Sequence, residues 1–319
     1  MRNLPKIFWN SSTVERLKNR VGLGTKLKKG LKTNNPKIGM AILAYERPEY
    51  LEVSLDSLFH TNLYDYDITF FICDDGSKDP RVRQIIEKAR DKKFKIVRWF
   101  FEKGPYSAGA AINRATKEML KYDKFDIVGW ADPDVLWHPE WLKKTMDIAL
   151  WAKANHKEHT LGPFTSFNSS DYIYHRILGI YDSPFGKYLV KRQAGMLNYF
   201  YFREDFEKLG YFEENLDDEK IMTEKFEKLK VRNFCTETSY IEHIGQYSVL
   251  NKLRPTKYDK AMFAINPVQD GWYIDCQKFR EFEPEYYQKI ENGYKEKISE
   301  ILKRRKTNIV KRVLKSFVK

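Results

Sequence analysis

The chain has 319 residues, 42% of them hydrophobic, enough for one large domain or one domain plus an extension, with a sizeable core. Its formal charge of +13 sits at the ends: residues 1–37 carry ten Lys/Arg against one acid, residues 295–319 carry ten against two, and the middle is mildly acidic. A nucleic-acid enzyme carries its positive charge on a central face, so that class is set aside, and basic ends suit an anionic membrane surface or solvated tails instead.

Residues 1–36 are basic and loosely amphipathic, end at Asn34-Asn35-Pro36, and read as an N-terminal extension. The pattern then changes. Ile38 to Ala44 is a short apolar run of strand length. Pro48 suits a helix start, and Leu51, Leu55, Leu58 and Phe59 recur at helical spacing. Ile68 to Cys73 is a second apolar strand, ending in the turn Asp74-Asp75-Gly76-Ser77. A helix is expected near 80–91, a strand at 95–100, and a small-residue helix at 107–121 after the Gly104-Pro105 break. Ile127 to Ala131 is a fourth strand, ending at Asp132-Pro133-Asp134, with a helix at 139–153 behind it.

Strands alternating with helices mean βαβ units and a mainly parallel α/β sheet. Runs that are apolar throughout mean strands buried on both faces. In such sheets ligands bind beyond the carboxyl ends of the strands, where the polar clusters 44–48, 74–77 and 132–134 all lie. After residue 155 the alternation breaks down. Residues 160–200 are rich in Gly, Ser, Asn and Tyr, and helical signal returns at 203–209 and 218–230.

Asp132 and Asp134, two carboxylates at i and i+2 after a buried strand, can aim at one point. Hard oxygen ligands suit Mg2+ or Mn2+, which in turn clamp a diphosphate. The plainer reading is an acid pair in a turn. The 74–77 segment divides the same way: Asp and Gly tolerate turn angles and Ser caps helices, yet a strand-end carboxylate can also accept hydrogen bonds from a base or a ribose.

The ordered set of segments resembles family 2 glycosyltransferases of the GT-A fold over about residues 38–250. Ala44-Tyr45-Glu46-Arg47-Pro48 is similar to that family's T-Y-N-R-like loop, and Asp74-Asp75-Gly76-Ser77 to its V-D-D-G-S turn. Gly104 to Asn113 is similar to its N-x-G-x-x-x-A-x-N segment, and Asp132-Pro133-Asp134 to its D-x-D. Gly195 to Asn198 resembles its glycine-bearing acceptor-side strand, and Phe206 to Phe212, Asp217-Asp218 and His243 to Ser248 resemble its later segments. Glu46 replaces the usual Asn, and Asp217 stands where Glu is usual.

The resemblance implies a sugar transfer from a nucleotide-diphosphate sugar donor to a carbohydrate or glycolipid acceptor, with inversion, in cell-surface polysaccharide or glycolipid synthesis. It implies that Ala44, Tyr45, Arg47 and Asn113 border the nucleotide. Asp74 would meet the base, and Asp75 would hold the turn or the ribose. Asp132 would meet ribose or sugar, and Asp134 and His243 would bind Mn2+ or Mg2+. A lone His is more often a surface or satisfied core residue, but Gly245 and Ser248 downstream favour the site. The general base comes from Asp217, Asp218 or Glu219, with Asp218 preferred; as a plainer alternative these acids form a solvated helix start.

Two other classes fit the sequence less well. A sugar nucleotidyltransferase opens with a Gly-rich loop after its first strand, and residues 44–48 contain no glycine. A non-enzymatic basic binding protein explains the ends but not the acids at strand termini. The domain reading is therefore an extension at 1–36, a GT-A domain at 37–250, and a C-terminal extension at 251–319. That last segment ends in a basic helix with an apolar stripe through Ile298, Leu302, Ile309, Val313 and Phe317. Cys73, Cys235 and Cys276 are odd in number and far apart, which points to a reducing compartment. No apolar run approaches the roughly 20 residues that span a bilayer. The expected location is the cytoplasm, peripheral on the inner face of a membrane.

Overall fold

The computed structural model describes residues 35–102, 107–167, 177–192, 197–214, 218–243, 247–248 and 254–255. All the elements below belong to the unit Pro36–Lys319. The basic stretch 1–34 and the C-terminal amphipathic segment lie outside the described residues, as do Cys276, Asp217 and Gly245.

The first half runs β1 (Lys37–Ala44), α1 (Pro48–Phe59), β2 (Asp67–Asp74), α2 (Pro80–Lys88), β3 (Lys95–Phe100), α3 (Ala108–Tyr122) and β4 (Ile127–Ala131). Helix starts follow local chemistry. Pro48 opens α1, and Asp79 caps α2 by accepting from the Arg81 N–H at 2.9 Å. Ser107 caps α3 by accepting from the Ala110 N–H at 3.1 Å.

Apart from the edge strand β3, these strands are apolar along nearly their whole length because helices cover both faces. On one face Ile38, Met40 and Ile42 of β1 join Leu51, Leu55 and Leu58 of α1 in a buried core. On the other, Ala41, Phe71 and Cys73 join Ile112, Ala115 and Met119 of α3. Residue parity along each strand decides which core a side chain enters.

The chain continues through β5 (Val135–Trp137), α4 (Trp141–Asn155), β6 (Thr160–Phe167), β7 (Ile177–Ser183), β8 (Gly186–Lys191) and β9 (Asn198–Phe202). Next come α5 (Arg203–Leu209), α6 (Asp218–Lys228), β10 (Val231–Ser239), β11 (Ile241–His243), β12 (Tyr247–Ser248) and β13 (Arg254–Pro255). Nine strands form one sheet in the order β3-β2-β1-β4-β9-β6-β10-β8-β7. The β3-β2-β1-β4 half is parallel. Beyond it β9 is antiparallel to both β4 and β6, β10 is parallel to β6, and β8 and β7 close the edge antiparallel.

Residues 160–200, where the strand–helix alternation of the sequence breaks down, supply β6 to β8 and the start of β9. The reason is visible in them. Gly162 and Pro163 interrupt β6, while Ile180 and Phe185 on the β7–β8 edge hairpin are exposed. The two halves meet at Gly129: a Cβ there would lie 2.3 Å from the Phe200 ring and 2.7 Å from the Tyr199 carbonyl. Only glycine allows β9 to approach so closely. Among the described residues Cys73 and Cys235 are buried and outside any disulfide, and no helix is long and apolar enough to cross a membrane.

Candidate active site

Ala44 pairs with Asp74, and Ile42 with Ala131, so β1, β2 and β4 end at one edge of the sheet. The loops that leave this edge are bonded to one another. Asp75 N–H donates to the Ala44 carbonyl at 2.9 Å, and Phe101 N–H to the Asp74 carbonyl at 2.9 Å. Glu46 N–H donates to Ser77 Oγ at 2.8 Å. The Glu46 carboxylate accepts from the backbone N–H of Lys78 at 2.9 Å and of Asp79 at 3.1 Å.

Glu46, a departure from the family pattern in the sequence, is therefore what joins the first loop to the second. Glu46 and Arg47 both have φ of +53°. Two successive non-glycine residues in the left-handed region cost about 1–2 kcal/mol each, so the surrounding bonds must hold them there. Gly76, at φ +83°, turns the second loop without that cost.

Asp74 and Asp75 differ in what the fold already asks of them. Asp74 Oδ1 accepts from Ser77 N–H at 2.9 Å, so Asp74 holds the turn. The buried Asp75 carboxylate has no hydrogen bond, although Arg114 Nη2 lies 3.1 Å from its Oδ1. Burial pushes the Asp75 carboxyl up to about 6, the Arg114 charge pulls against that, and Asp74 adds to it. Arg114 also lies over the Phe101 ring, 4.7 Å from its centre. Sequence reading missed Arg114. Its only signal was its place directly after Asn113.

The Asp132-Pro133-Asp134 turn follows β4 directly. Asp132 N–H donates to the Leu197 carbonyl at 3.0 Å, and its side chain is half-buried. Asp134 is 2% exposed. Its Oδ2 accepts from Arg47 Nη1 at 2.7 Å and lies 3.3 Å from His243 Nε2. Its Oδ1 is buried without a hydrogen-bond partner. His243 arrives from far along the chain because β11 pairs with β5, setting His243 opposite Val135.

Charge follows from this packing. Burial would raise the Asp134 carboxyl, but Arg47 and His243 outweigh it and hold Asp134 well below the usual carboxylate range. Burial likewise opposes a charged His243, yet the Asp134 carboxylate, with Asp132 behind it, raises its pKa above the ordinary value. The structure thus brings Arg47, Asp132, Asp134 and His243 together, with Ala44, Tyr45, Asp74 and Asp75 on the neighbouring strand ends.

Asn113 stands apart. It is 2% exposed, and its amide clamps the backbone of Phe212: Oδ1 accepts from Phe212 N–H at 2.9 Å and Nδ2 donates to the Phe212 carbonyl at 2.9 Å. Nδ2 also reaches Glu214 Oε1 at 3.1 Å. Both ends of this amide are engaged within the chain. Asp218 and Glu219 are the first residues of α6, and Asp217 just before them lies outside the described residues.

Comparison with solved structures finds distant likenesses. The mannosyltransferase PcManGT from Pyrobaculum calidifontis, in complex with GDP-Man and Mn2+, is 15% identical with a TM-score of 0.42, over 70% of this chain and 61% of that one. S. aureus TarS residues 1–349 is 18% identical with a TM-score of 0.45, over 64% and 59%. The same fragment in complex with UDP-GlcNAc is 16% identical with a TM-score of 0.47, over 79% and 73%. The chain thus spans about three-fifths of the first two, and at these scores the likenesses decide nothing about the site. A search of curated proteins gave no match. The model of glycosyl transferase family 2 matches residues 40–212, more than half of the sequence, through β1, the D-x-D turn and the Phe212 step: this chain belongs to glycosyl transferase family 2.

Proposed function

We propose that the chain transfers a sugar from a nucleotide-diphosphate sugar to a carbohydrate or glycolipid hydroxyl, with inversion at the anomeric carbon. The observation that carries this reading is the buried, unpartnered Asp134 Oδ1 at the carboxyl edge of the sheet, beside the Arg47 guanidinium and the His243 imidazole.

Among the described residues no three His, Cys, Asp or Glu side chains form a ready-made metal cage. Mg2+ that works on phosphates does not need one, since it takes one or two protein ligands and fills its shell with phosphate and water oxygens. Asp134, with Asp132 beside it, fits that use for Mg2+ or Mn2+, and His243 would join it for Mn2+ once its imidazole has lost its proton. A bound divalent ion would neutralise charge on the departing nucleoside diphosphate.

Arg47 adds a fixed positive charge on the same side. Ala44, Tyr45, Asp74 and Asp75 border the nucleotide, and Asp75 has hydrogen-bonding capacity to offer. Asn113 acts at one remove, by fixing Phe212 and Glu214 ahead of α6. At the start of α6, Asp218, with Asp217 or Glu219 as alternatives, takes the proton of the acceptor hydroxyl as it attacks. A single displacement inverts the centre and needs only that one base, whereas retention through a double displacement needs a second, nucleophilic carboxylate.

A donor-hydrolysis assay over a panel of nucleotide sugars tests this reading. Release of nucleoside diphosphate with one donor, stopped by a chelator and restored by Mn2+ or Mg2+, is the expected result. No release with any donor, together with no binding of any nucleoside diphosphate, rejects it.

A further inference from the structure

We infer that Asn198 hydrogen-bonds the hydroxyls of the transferred sugar and so sets donor specificity, an inference that rests on the function proposed above. Asn198 opens β9 and is 1% exposed. Neither its Oδ1 nor its Nδ2 has a hydrogen-bond partner. Burying an unpaired carboxamide is costly, and folded chains rarely retain one without a use.

Its place in the sheet suggests that use. Asn198 pairs with Ala131, the last residue of β4, and the next residue of that chain, Asp132, is hydrogen-bonded to Leu197 at 3.0 Å. Across the sheet the strand ends run Asp74 on β2, Ala44 on β1, Ala131 on β4, then Asn198 on β9. A donor with its nucleotide over β2 and β1 and its diphosphate at the D-x-D turn brings its sugar next, towards β9. A carboxamide offers two donor hydrogens and an acceptor oxygen, which matches sugar hydroxyls that both give and take hydrogen bonds. A neighbouring polar group behaves differently: the Tyr199 hydroxyl donates to Asn233 Oδ1 and so is satisfied within the fold.

The test is a cycle of two ligands and two proteins. A nucleoside diphosphate and the same nucleotide bearing its sugar are titrated calorimetrically into the full chain and into Asn198→Ala. The expected result is an unchanged affinity for the nucleoside diphosphate and a loss of about tenfold or more confined to the sugar-bearing donor. Discrimination between donors that differ at one hydroxyl relaxes by a similar factor. The thermal midpoint stays level or rises, because the variant removes an unpaired buried group. Equal weakening of both ligands, no change in either, or a variant that no longer folds each overturns the inference. Failure of the unaltered chain to bind any nucleoside diphosphate overturns the proposed function itself, and this inference with it.

Discussion

Arg47 Nη1 stands 2.7 Å from Asp134 Oδ2, across 87 residues of sequence, and joins the first loop of the sheet to the turn after β4. Both side chains are largely buried, at 19% and 3% exposure, so each is the other's main counter-charge. Removing one partner of such a pair strands the other in a poorly hydrated place.

Asp134→Asn is therefore expected to keep the fold while losing metal-dependent turnover. Its stability should fall by on the order of 3 kcal/mol, since Arg47 loses its carboxylate. Circular dichroism with urea titration reads the second effect, and donor hydrolysis against Mn2+ concentration reads the first. Full metal-dependent activity in the variant would sink the assignment.

Arg47→Ala and Arg47→Gly lose the same ion pair but differ in backbone. Residue 47 sits at φ +53°, where glycine is unstrained and alanine is not. The glycine variant is expected to be about 1 kcal/mol more stable than the alanine variant, the reverse of the order in an ordinary helix interior. Paired denaturation curves measure this difference, and alanine proving the more stable would reject the strained-loop account.

Asp75 carries a pH signature. Its folded-state pKa of about 6 lies above the unfolded value of 3.8, so the folded chain holds this proton to higher pH. Stability from this group is greatest below about pH 4 and falls as pH rises towards 6, by on the order of 3 kcal/mol. Asp75→Asn should lack that fall and be more stable than the parent above pH 6. Parallel stability curves for the two proteins over this range would refute the assignment.

Asp218→Asn should lower kcat by roughly 10²–10⁴ while leaving donor affinity intact. Single-turnover kinetics, in which chemistry limits the rate, separate this from slow product release. A near-normal rate there moves the base to Asp217 or Glu219.

The basic C-terminal segment is expected to bind acidic lipid. Residues 295–319 combine ten Lys/Arg and two acids with an apolar stripe, and each basic residue near the surface adds about 1 kcal/mol. Co-sedimentation with acidic liposomes at low salt should be strong for the full chain and weak for a truncation after Gly293. Equal behaviour of the two chains would end the idea.

The parallel half was legible because its strands, such as Phe70-Phe71-Ile72, are buried on both faces and read as unbroken apolar runs. The second half was not, since β6 carries Gly162 and Pro163, and the β7–β8 edge exposes apolar side chains such as Ile180. In the site, position after a strand drew attention to Asp132 and Asp134 alike, and the family resemblance supplied the expectation of a metal role for Asp134. Glu46 read as a departure because its task, holding Lys78 and Asp79, exists only once two loops have met. Neither the pairing of Arg114 with Asp75 nor the burial of Asn198 without a partner could be read beforehand, for a related reason: both are properties of packing, which spacing along the chain does not encode.

The fit of Phe200 against Gly129 has a consequence for building hybrids of this protein. Because the ring fills the space a Cβ would take, the two halves of the sheet are registered by shape at that point. A chimera that grafts another β9 onto this nucleotide half, or the reverse, must carry both members of the pair across the junction. Transplanting either alone replaces a matched seam with a clash or a void.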